Sequence, residues 1–241
     1  MSLSHHPKIV TNGLILNLDA ANKKSYSGTG TNWYDLSRNK YTAIQIGASF
    51  PSFNSSTNDF TFNGTSQYLR VPFTGSITDH TVIAWCKLAT LTPTGSSAGE
   101  GVVGIGVDGN QGPTGGFLTL VYNETTAKRW QNQSSNAIQA VVSSPDETST
   151  SYLMMAITYT TNSYIIYRNG VVIGSSTAYS PYTFTNGQMI IGTRHFIDSN
   201  YTSVSNGYFN GNISVVQVYN RALTATEVLQ NYNALKGRFG L

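Results

Sequence analysis

The last 35 residues, Gly207 to Leu241, constrain the fold most. Asn212 to Asn220 reads as a strand rich in β-branched residues and tyrosine. Val216 and Val218 share one face, with Ser214 at its edge. Ile213, Val215 and Tyr219 share the other, with Gln217 among them. A strand that is apolar on both faces needs cover on both, so it is expected to be central in its sheet. Phe209-Asn210-Gly211 ahead of it reads as a turn. Behind it, Thr224-Ala225-Thr226-Glu227 has the form of a capping box: the threonine hydroxyl takes one free N–H and the glutamate reaches back to another. Leu223 and Val228 flank it as a hydrophobic staple. Val228, Tyr232 and Leu235 recur at helical spacing with Leu229 beside them, which predicts one amphipathic helix over about Ala225–Leu235 with Gly237 as its stop. No chemistry attaches to this unit. It reads as a lock that closes a β body.

The rest of the chain supplies that body. Ile9 to Asp19 reads as a strand with Leu14, Leu16 and Leu18 on one face. Ala20 to Leu36 is polar and turn-rich, and Tyr41 to Ile46 is a short strand. Phe60 to Pro72 reads as strand, Asn63-Gly64 turn, strand. Thr81–Leu88 is strand-like, with Trp85 and Cys86 expected in or near the core. Gly101–Val107 reads as a strand between two long loops. Gly116–Tyr122 and Ala137–Val142 read as further strands. Tyr152–Thr160 alternates, with Leu153, Met155, Ile157 and Tyr159 on one face. Tyr164–Gly174 is a hairpin around Asn169-Gly170, and Gln188–Gly192 is a short strand. Charged residues make up only 10% of the chain while aromatics reach 12%, a balance that suits many strands joined by polar turns and does not suit disorder. No linker, repeat or boundary is visible. The expectation is one domain over 1–241 with 1–8 as a short N-terminal arm.

Several functions are excluded by what is missing. Basic residues are scattered over a net charge of +3, with no run to suit nucleic acid. No apolar run reaches membrane-spanning length, and the N-terminus lacks the apolar core of a signal peptide. One cysteine and no paired histidines leave no zinc site. The glycines near Gly101 are followed by no Lys-Ser/Thr and no helix, so they form no phosphate cradle. His80 and His195 stand without a nucleophile elbow and read as structural or surface residues. Asp19 and Asp35 are expected to accept backbone N–H bonds at turns. Asp146-Glu147 reads as a solvated turn.

Five stretches resemble one known family. They are the ending GYFNGNISVVQVYNRALTATEVLQNYNALKGRFGL, the Tyr164–Gly174 hairpin, Thr81–Leu88, Phe60–Pro72 and Gln188–Gly192. Together they resemble the concanavalin A-like lectin/glucanase domains of laminin-G-like jelly-roll type. GLILNLDAANKKSYSGTGTNWYDLS near the N-terminus is similar to the start of members borne by tailed bacteriophages. The resemblance implies an all-β domain, a two-sheet antiparallel jelly-roll sandwich with one short C-terminal helix. It implies a non-enzymatic virion structural protein, a capsid decoration or a tail or fibre component, or alternatively a carbohydrate-binding module for host-surface glycans. Such a protein is made in the host cytoplasm without a signal peptide and displayed on the virion surface. Its partners are other virion proteins, host-surface carbohydrate or further copies of itself, with no nucleic acid and no membrane insertion.

The chemistry of that family is only partly present. Its glucanases carry acids alternating along one strand, and no strand here has acids at i and i+2 or i+4, so no enzyme and no catalytic residues are expected. Two acidic positions of the family's Phe60–Pro72 motif are the neutral Asn63 and Gln67. No cofactor is expected. Calcium at a loop rim would use Asp108 and Asp198, one carboxylate per loop and therefore a weak site. The functional surface is expected on the loops Thr90–Gly101, Asp108–Gly116 and His195–Tyr208, longer than ordinary hairpin loops. Tyr201 and Tyr208 would give contact area there, and Asp198, Asn200 and Asn206 hydrogen bonds, to a sugar or a protein partner. Trp130, Tyr179 and Tyr182 lie in or near loops as further aromatic candidates.

Overall fold

The computed structural model describes residues 7–46, 48–91, 99–106, 117–123, 128–134, 145–177, 183–194 and 207–241. In chain order the strands are β1 (Leu14–Asp19), β2 (Asn32–Tyr34), β3 (Thr42–Gln45), β4 (Ser52–Asn54), β5 (Asp59–Asn63) and β6 (Leu69–Pro72). Next come β7 (Ser76–Ile77), β8 (His80–Leu88), β9 (Glu100–Gly106), β10 (Phe117–Asn123), β11 (Arg129–Ser134) and β12 (Leu153–Tyr159). The series ends with β13 (Tyr164–Arg168), β14 (Val171–Ser176), β15 (Phe184–Thr185), β16 (Gln188–Ile191) and β17 (Asn210–Tyr219). One helix, α1 (Ala225–Leu235), and a 3₁₀ turn over Lys236–Phe239 close the chain.

Two antiparallel sheets stack as a sandwich. One runs β14-β13-β12-β8-β17-β5-β4, with β1 also on β17; the other runs β11-β10-β9-β16-β6-β3-β2. A two-stranded ribbon, β7 with β15, stands apart. The main core lies between the sheets, where Leu153, Met155, Ile157 and Tyr159 of β12 meet Trp33, Leu69, Val71, Met189 and Ile191. This is the face that the alternation of β12 predicts. A second apolar layer lies outside the first sheet, between Trp85, Val215, Tyr219 and the Leu223/Val228 staple under α1. Trp85 is therefore core, though not of the inter-sheet layer: its indole stacks on Phe239 at 4.3 Å and on Tyr232 at 5.8 Å. Cys86 is buried, and that burial raises its thiol pKa, so it is inert.

The C-terminal unit forms as its sequence predicts. β17 is central, paired with β8, β5 and β1. Thr224 accepts from the Glu227 N–H, and the Glu227 carboxylate accepts from the Thr224 N–H at 2.9 Å. Arg221 grips the same carboxylate with two N–H groups, and that hydrogen bonding holds its pKa down to about 2. The hairpin at Asn169-Gly170 turns with both residues at positive φ, 52° and 80°, as a type I′ turn requires.

Several details differ from the sequence reading, and bulges explain two. A register shift between Ile213 and Val215 moves Ile213 to the inter-sheet face beside Val216 and Val218. Another between Leu14 and Leu16 sends Leu14 to the outer layer while Leu16 and Leu18 enter the main core. The first strand starts only at Leu14, because Gly13 at φ 78° and the Leu14 N–H to Thr11 carbonyl bond make a turn ahead of it. Asn210-Gly211 is not a turn but the start of β17. Gly211 fits because a Cβ there would lie 2.2 Å from the Lys87 carbonyl. Phe60–Pro72 is not a hairpin: β5 belongs to one sheet and β6 to the other, so Asn63-Gly64 rounds a corner of the sandwich. Gly237 has no left-handed backbone. The 3₁₀ turn runs on to Gly240, which has φ 73°. β11 carries no signal that singled it out, and its Trp130 is fully buried rather than loop-borne. The expected strand Ala137–Val142 lies outside the described residues, as do Tyr179, Tyr182 and His195.

Candidate ligand-binding face

Of the residues expected to bind a ligand, Tyr208 is described; Tyr201, Asp198, Asn200 and Asn206 lie outside the described residues. So does Asp108, and with it both candidate calcium ligands. What the structure shows is the neck formed by residues 192–194 and 207–209. Gly101 N–H donates to the Gly207 carbonyl, Phe209 N–H to that of Gly192, and Gly192 N–H to that of Val102, at 2.9, 3.0 and 3.0 Å. The neck is too tight for side chains. A Cβ on Gly101 would lie 2.3 Å from the Thr193–Arg194 backbone, and one on Gly192, which has φ 82°, would lie 2.4 Å from the Phe62 ring.

Tyr208 emerges from this neck over the outer face of the second sheet. Its ring leans on that of Tyr68, with centroids 5.9 Å apart and planes at 43°, and Ile46 and the buried Ile190 pack beneath. The register shows what continues the face. Ile190 lies opposite Arg70, Arg70 opposite Ile44, and Ile44 opposite Asn32. Opposed residues in antiparallel strands share a face. Tyr34 is two residues from Asn32 and shares that face; it is 47% exposed, and its hydroxyl accepts from the Asn32 amide. Gln188, two residues before Ile190, is buried, and its Oε1 has no hydrogen-bond partner. The alternate residues Trp33, Ala43, Leu69, Val71, Met189 and Ile191 all point into the core. This face offers one half-buried tyrosine ring near the neck, Tyr208 backed by the buried Tyr68, a half-buried guanidinium at its centre, and an exposed tyrosine with an amide at its edge. Sequence reading picked out Tyr208 alone. Tyr34, Tyr68 and Arg70 carry only the signal of strand alternation, which becomes informative once it is known which sheet each strand joins.

The described carboxylates are engaged within the fold. Eight acidic residues fall within the described part, and each is held by a donor. Asp35 takes the N–H groups of Asn17, Ser37 and Tyr41 and the Ser37 hydroxyl. Asp19 caps Ala21 N–H and pairs with Arg238, so both residues serve turns as expected. Asp59 accepts from Tyr152 and Asn212, Asp79 from Thr161, Glu100 from Asn210 N–H, and Glu227 caps α1. Asp146 pairs with Arg129 at the surface. Glu147 is not solvated as its loop suggested. It is 4% exposed and accepts from Trp130 Nε1, two N–H groups of Arg168 and the N–H groups of Thr148 and Ser149. Burial pushes its pKa up, but the bonds from Arg168 and Trp130 outweigh this and hold it below the ordinary value.

Gln67 also proves structural: it accepts from Asn63 N–H and donates to Ser49 Oγ and the Phe50 carbonyl. Asn63 caps the same corner by accepting from the N–H groups of Thr65 and Ser66. His80 is buried, as a structural histidine should be. Among the described residues no three metal-ligating side chains converge, and no helix is long and apolar enough to cross a membrane.

A profile of the concanavalin A-like lectin/glucanases superfamily matches residues 63–229. No characterised protein matches the chain by sequence alone. Among solved structures, the sialidase of Trypanosoma rangeli in complex with sialic acid is similar over 94% of this chain and 33% of its own, with TM-score 0.66 and 15% identity. The chain thus spans one third of that enzyme. Domain 4 of AbnA, a GH43 extracellular arabinanase from Geobacillus stearothermophilus, in complex with arabinotriose, is similar over 92% of this chain and 100% of its own, with TM-score 0.57 and 16% identity. A heptameric SAP-like pentraxin from Limulus polyphemus is similar over 70% and 78%, with TM-score 0.54 and 14% identity.

Proposed function

The chain belongs to the concanavalin A-like lectin/glucanase superfamily, and from that premise we propose that it is a non-enzymatic carbohydrate-binding module whose site is the outer face of the second sheet. The observation that carries this reading is the Tyr208–Tyr68 ring pair beside Arg70 on a rigid sheet. The half-buried Tyr208 ring, held by the buried Tyr68, would offer apolar surface to the C–H face of a sugar, and the guanidinium and nearby amides would offer donors to its hydroxyls. Two facts support it from other directions. Every described carboxylate is already held by the fold, so no free acid pair for hydrolysis stands among the described residues. The arabinanase domain, matched along its whole length, is one seen with a trisaccharide.

The setting implied by the sequence resemblance completes the proposal. The module would be displayed on a phage particle, held by capsid or tail proteins and turned toward host-surface glycans. Titration with a panel of neutral and acidic oligosaccharides tests the first part. Binding in the parent that falls about tenfold in Tyr208→Ala, with unchanged melting, supports it. A parent that binds no member of the panel at millimolar concentration refutes it, and reducing-sugar release from laminarin or an arabinan would refute the non-enzymatic part. Immunogold labelling of purified particles tests the setting: absence of the protein from particles refutes it.

A further inference from the structure

A second cleft, which shares no lining residue with the outer-sheet face, is lined in part by polar side chains that the fold leaves without a partner. It lies between the turn that leads into β1 and the turn that joins β2 to β3, has a volume of about 660 Å³, and includes Asn220 from the end of β17. That volume falls in the range of small-molecule sites. Its apolar lining is Leu14, Ile15 and Leu36, all half-buried, and its polar lining includes Asn12, Arg38 and Asn220, all exposed.

The walls are held in place by bonds between distant parts of the chain. Ser37 Oγ and Asn39 Nδ2 both donate to the Ile15 carbonyl at 3.0 Å, which ties one wall to the other. Asp35 anchors the second turn from below. Asn220 N–H donates to the Gly13 carbonyl at 2.9 Å, and Arg221 Nε to that of Asn12 at 3.0 Å. A cleft fixed in this way loses little freedom when something binds.

The side chains facing it are a different matter. Arg129, Arg168, Arg221 and Arg238 each pair with a carboxylate. Arg38 has no hydrogen bond or ion pair in the described structure, and neither the Asn12 nor the Asn220 amide group has a hydrogen bond. No carboxylate pairs with Arg38 among the described residues: Asp35 is buried and accepts from four other donors, and Glu227 pairs with Arg221. The cleft therefore offers one forked cation, two amides and an apolar floor.

We propose that this cleft is a second ligand site, for a carboxylate-bearing sugar of the uronic acid type. Arg38 would take the carboxylate in a bidentate fork. Asn12 and Asn220 would bond ring hydroxyls, and Leu14, Ile15 and Leu36 would meet the apolar C–H face of the ring. The site shares no residue with the outer-sheet face and does not need that face to bind anything.

Galacturonic acid trimer and its neutral counterpart, galactose trimer, are the probes, titrated into the intact protein with amide chemical shifts as the readout. Arg38→Gln removes the charge from an exposed side chain without a partner, so folding should persist, and its melting temperature checks this. The expected result is that the uronate trimer shifts the amides of Gly13, Ile15 and Asn39, that Arg38→Gln weakens it at least tenfold, and that Asn220→Ala weakens it severalfold. Tyr208→Ala should leave it unchanged, which separates this site from the one proposed above. Uronate binding that survives Arg38→Gln, or shifts confined to the outer-sheet face, overturns the proposal. So does equal competition by acetate or sulfate, which would make Arg38 a bare anion contact, and so does absence of any shift at 10-fold molar excess over about 1 mM protein.

Discussion

His80 makes the fold sensitive to acid, and the size of the effect can be worked out. The side chain is fully buried, with its ring stacked on Tyr159 at 4.4 Å and edge-on to Phe184 at 5.8 Å. Nδ1 lies 2.7 Å from the Thr78 carbonyl and therefore carries the proton. Nε2 is buried with no partner. Protonating it would place a cation among aromatic rings, so burial lowers the pKa to about 4 from 6.5, against a smaller upward pull from Thr78. The folded value lies below the unfolded one, so the unfolded chain takes the proton first. The resulting loss of stability is absent above about pH 6.5, grows as the pH falls, and levels off below about pH 4. At about 1.4 kcal/mol per pH unit the loss reaches about 2.5 kcal/mol at pH 4.5, a large share of the 5–15 kcal/mol typical of a domain. The assay is urea unfolding at pH 7.5 and pH 4.5 in the parent and in His80→Phe. The variant gives up the bond to Thr78, about 1 kcal/mol at pH 7.5, but should lose about 2.5 kcal/mol less than the parent on acidification. Contributions from carboxylates cancel in that comparison. Equal losses in the two proteins would show that His80 is not charged on unfolding, and the reasoning would fail.

Other perturbations test the remaining structure. Glu147→Ala strands Arg168 and the Trp130 N–H and should cost about 3 kcal/mol, read as a lower urea midpoint with unchanged slope. Glu227→Ala removes half of the capping box and the Arg221 pair, and should cost about 1–2 kcal/mol with loss of helical signal in circular dichroism. Gly192→Ala combines a left-handed backbone with a contact against Phe62, and should destabilise by about 2 kcal/mol or more. Protection of the Gly192 and Phe209 amides should fall with it in hydrogen exchange.

Much of the fold was legible because its signals are local. The Asn169-Gly170 turn, the Thr224–Glu227 capping box and the alternation of β12 each depend on a few adjacent residues, and each was found where the sequence put it. The departures come from pairing, which no local pattern encodes. A bulge adds one residue to one strand and flips the faces beyond it, so Ile213 and Leu14 changed layers although their own residue types did not change. The Asn63-Gly64 corner has the composition of a hairpin turn. Only the partner strands decide whether the chain folds back in the same sheet or crosses to the other, and these include strands far along the chain: β17 as well as β4 for β5, and β16 as well as β3 for β6.

The candidate sites were harder to read for a related reason. Tyr208 could be picked out because it stands in a polar stretch, where an aromatic ring is conspicuous. Tyr34 and Arg70 stand in strands, where an alternating residue can face the core or the solvent until the sheet order is known. Glu147 shows the converse: Asp146 and Glu147 look equivalent beside Pro145, yet one sits at the surface with Arg129 while the other is buried under Trp130 and Arg168. The difference arises because β11 and β13 bring an indole N–H and a guanidinium to one of two adjacent carboxylates. Composition identifies residues able to bind something, and topology decides which of them the fold has already occupied. By that criterion Arg38 stands out, with no carboxylate partner beside a turn that Ser37 and Asn39 tie to Ile15. Binding to a module of this kind is therefore best sought through polar side chains that the fold leaves unengaged beside rigid apolar surface, as well as through the length of its loops.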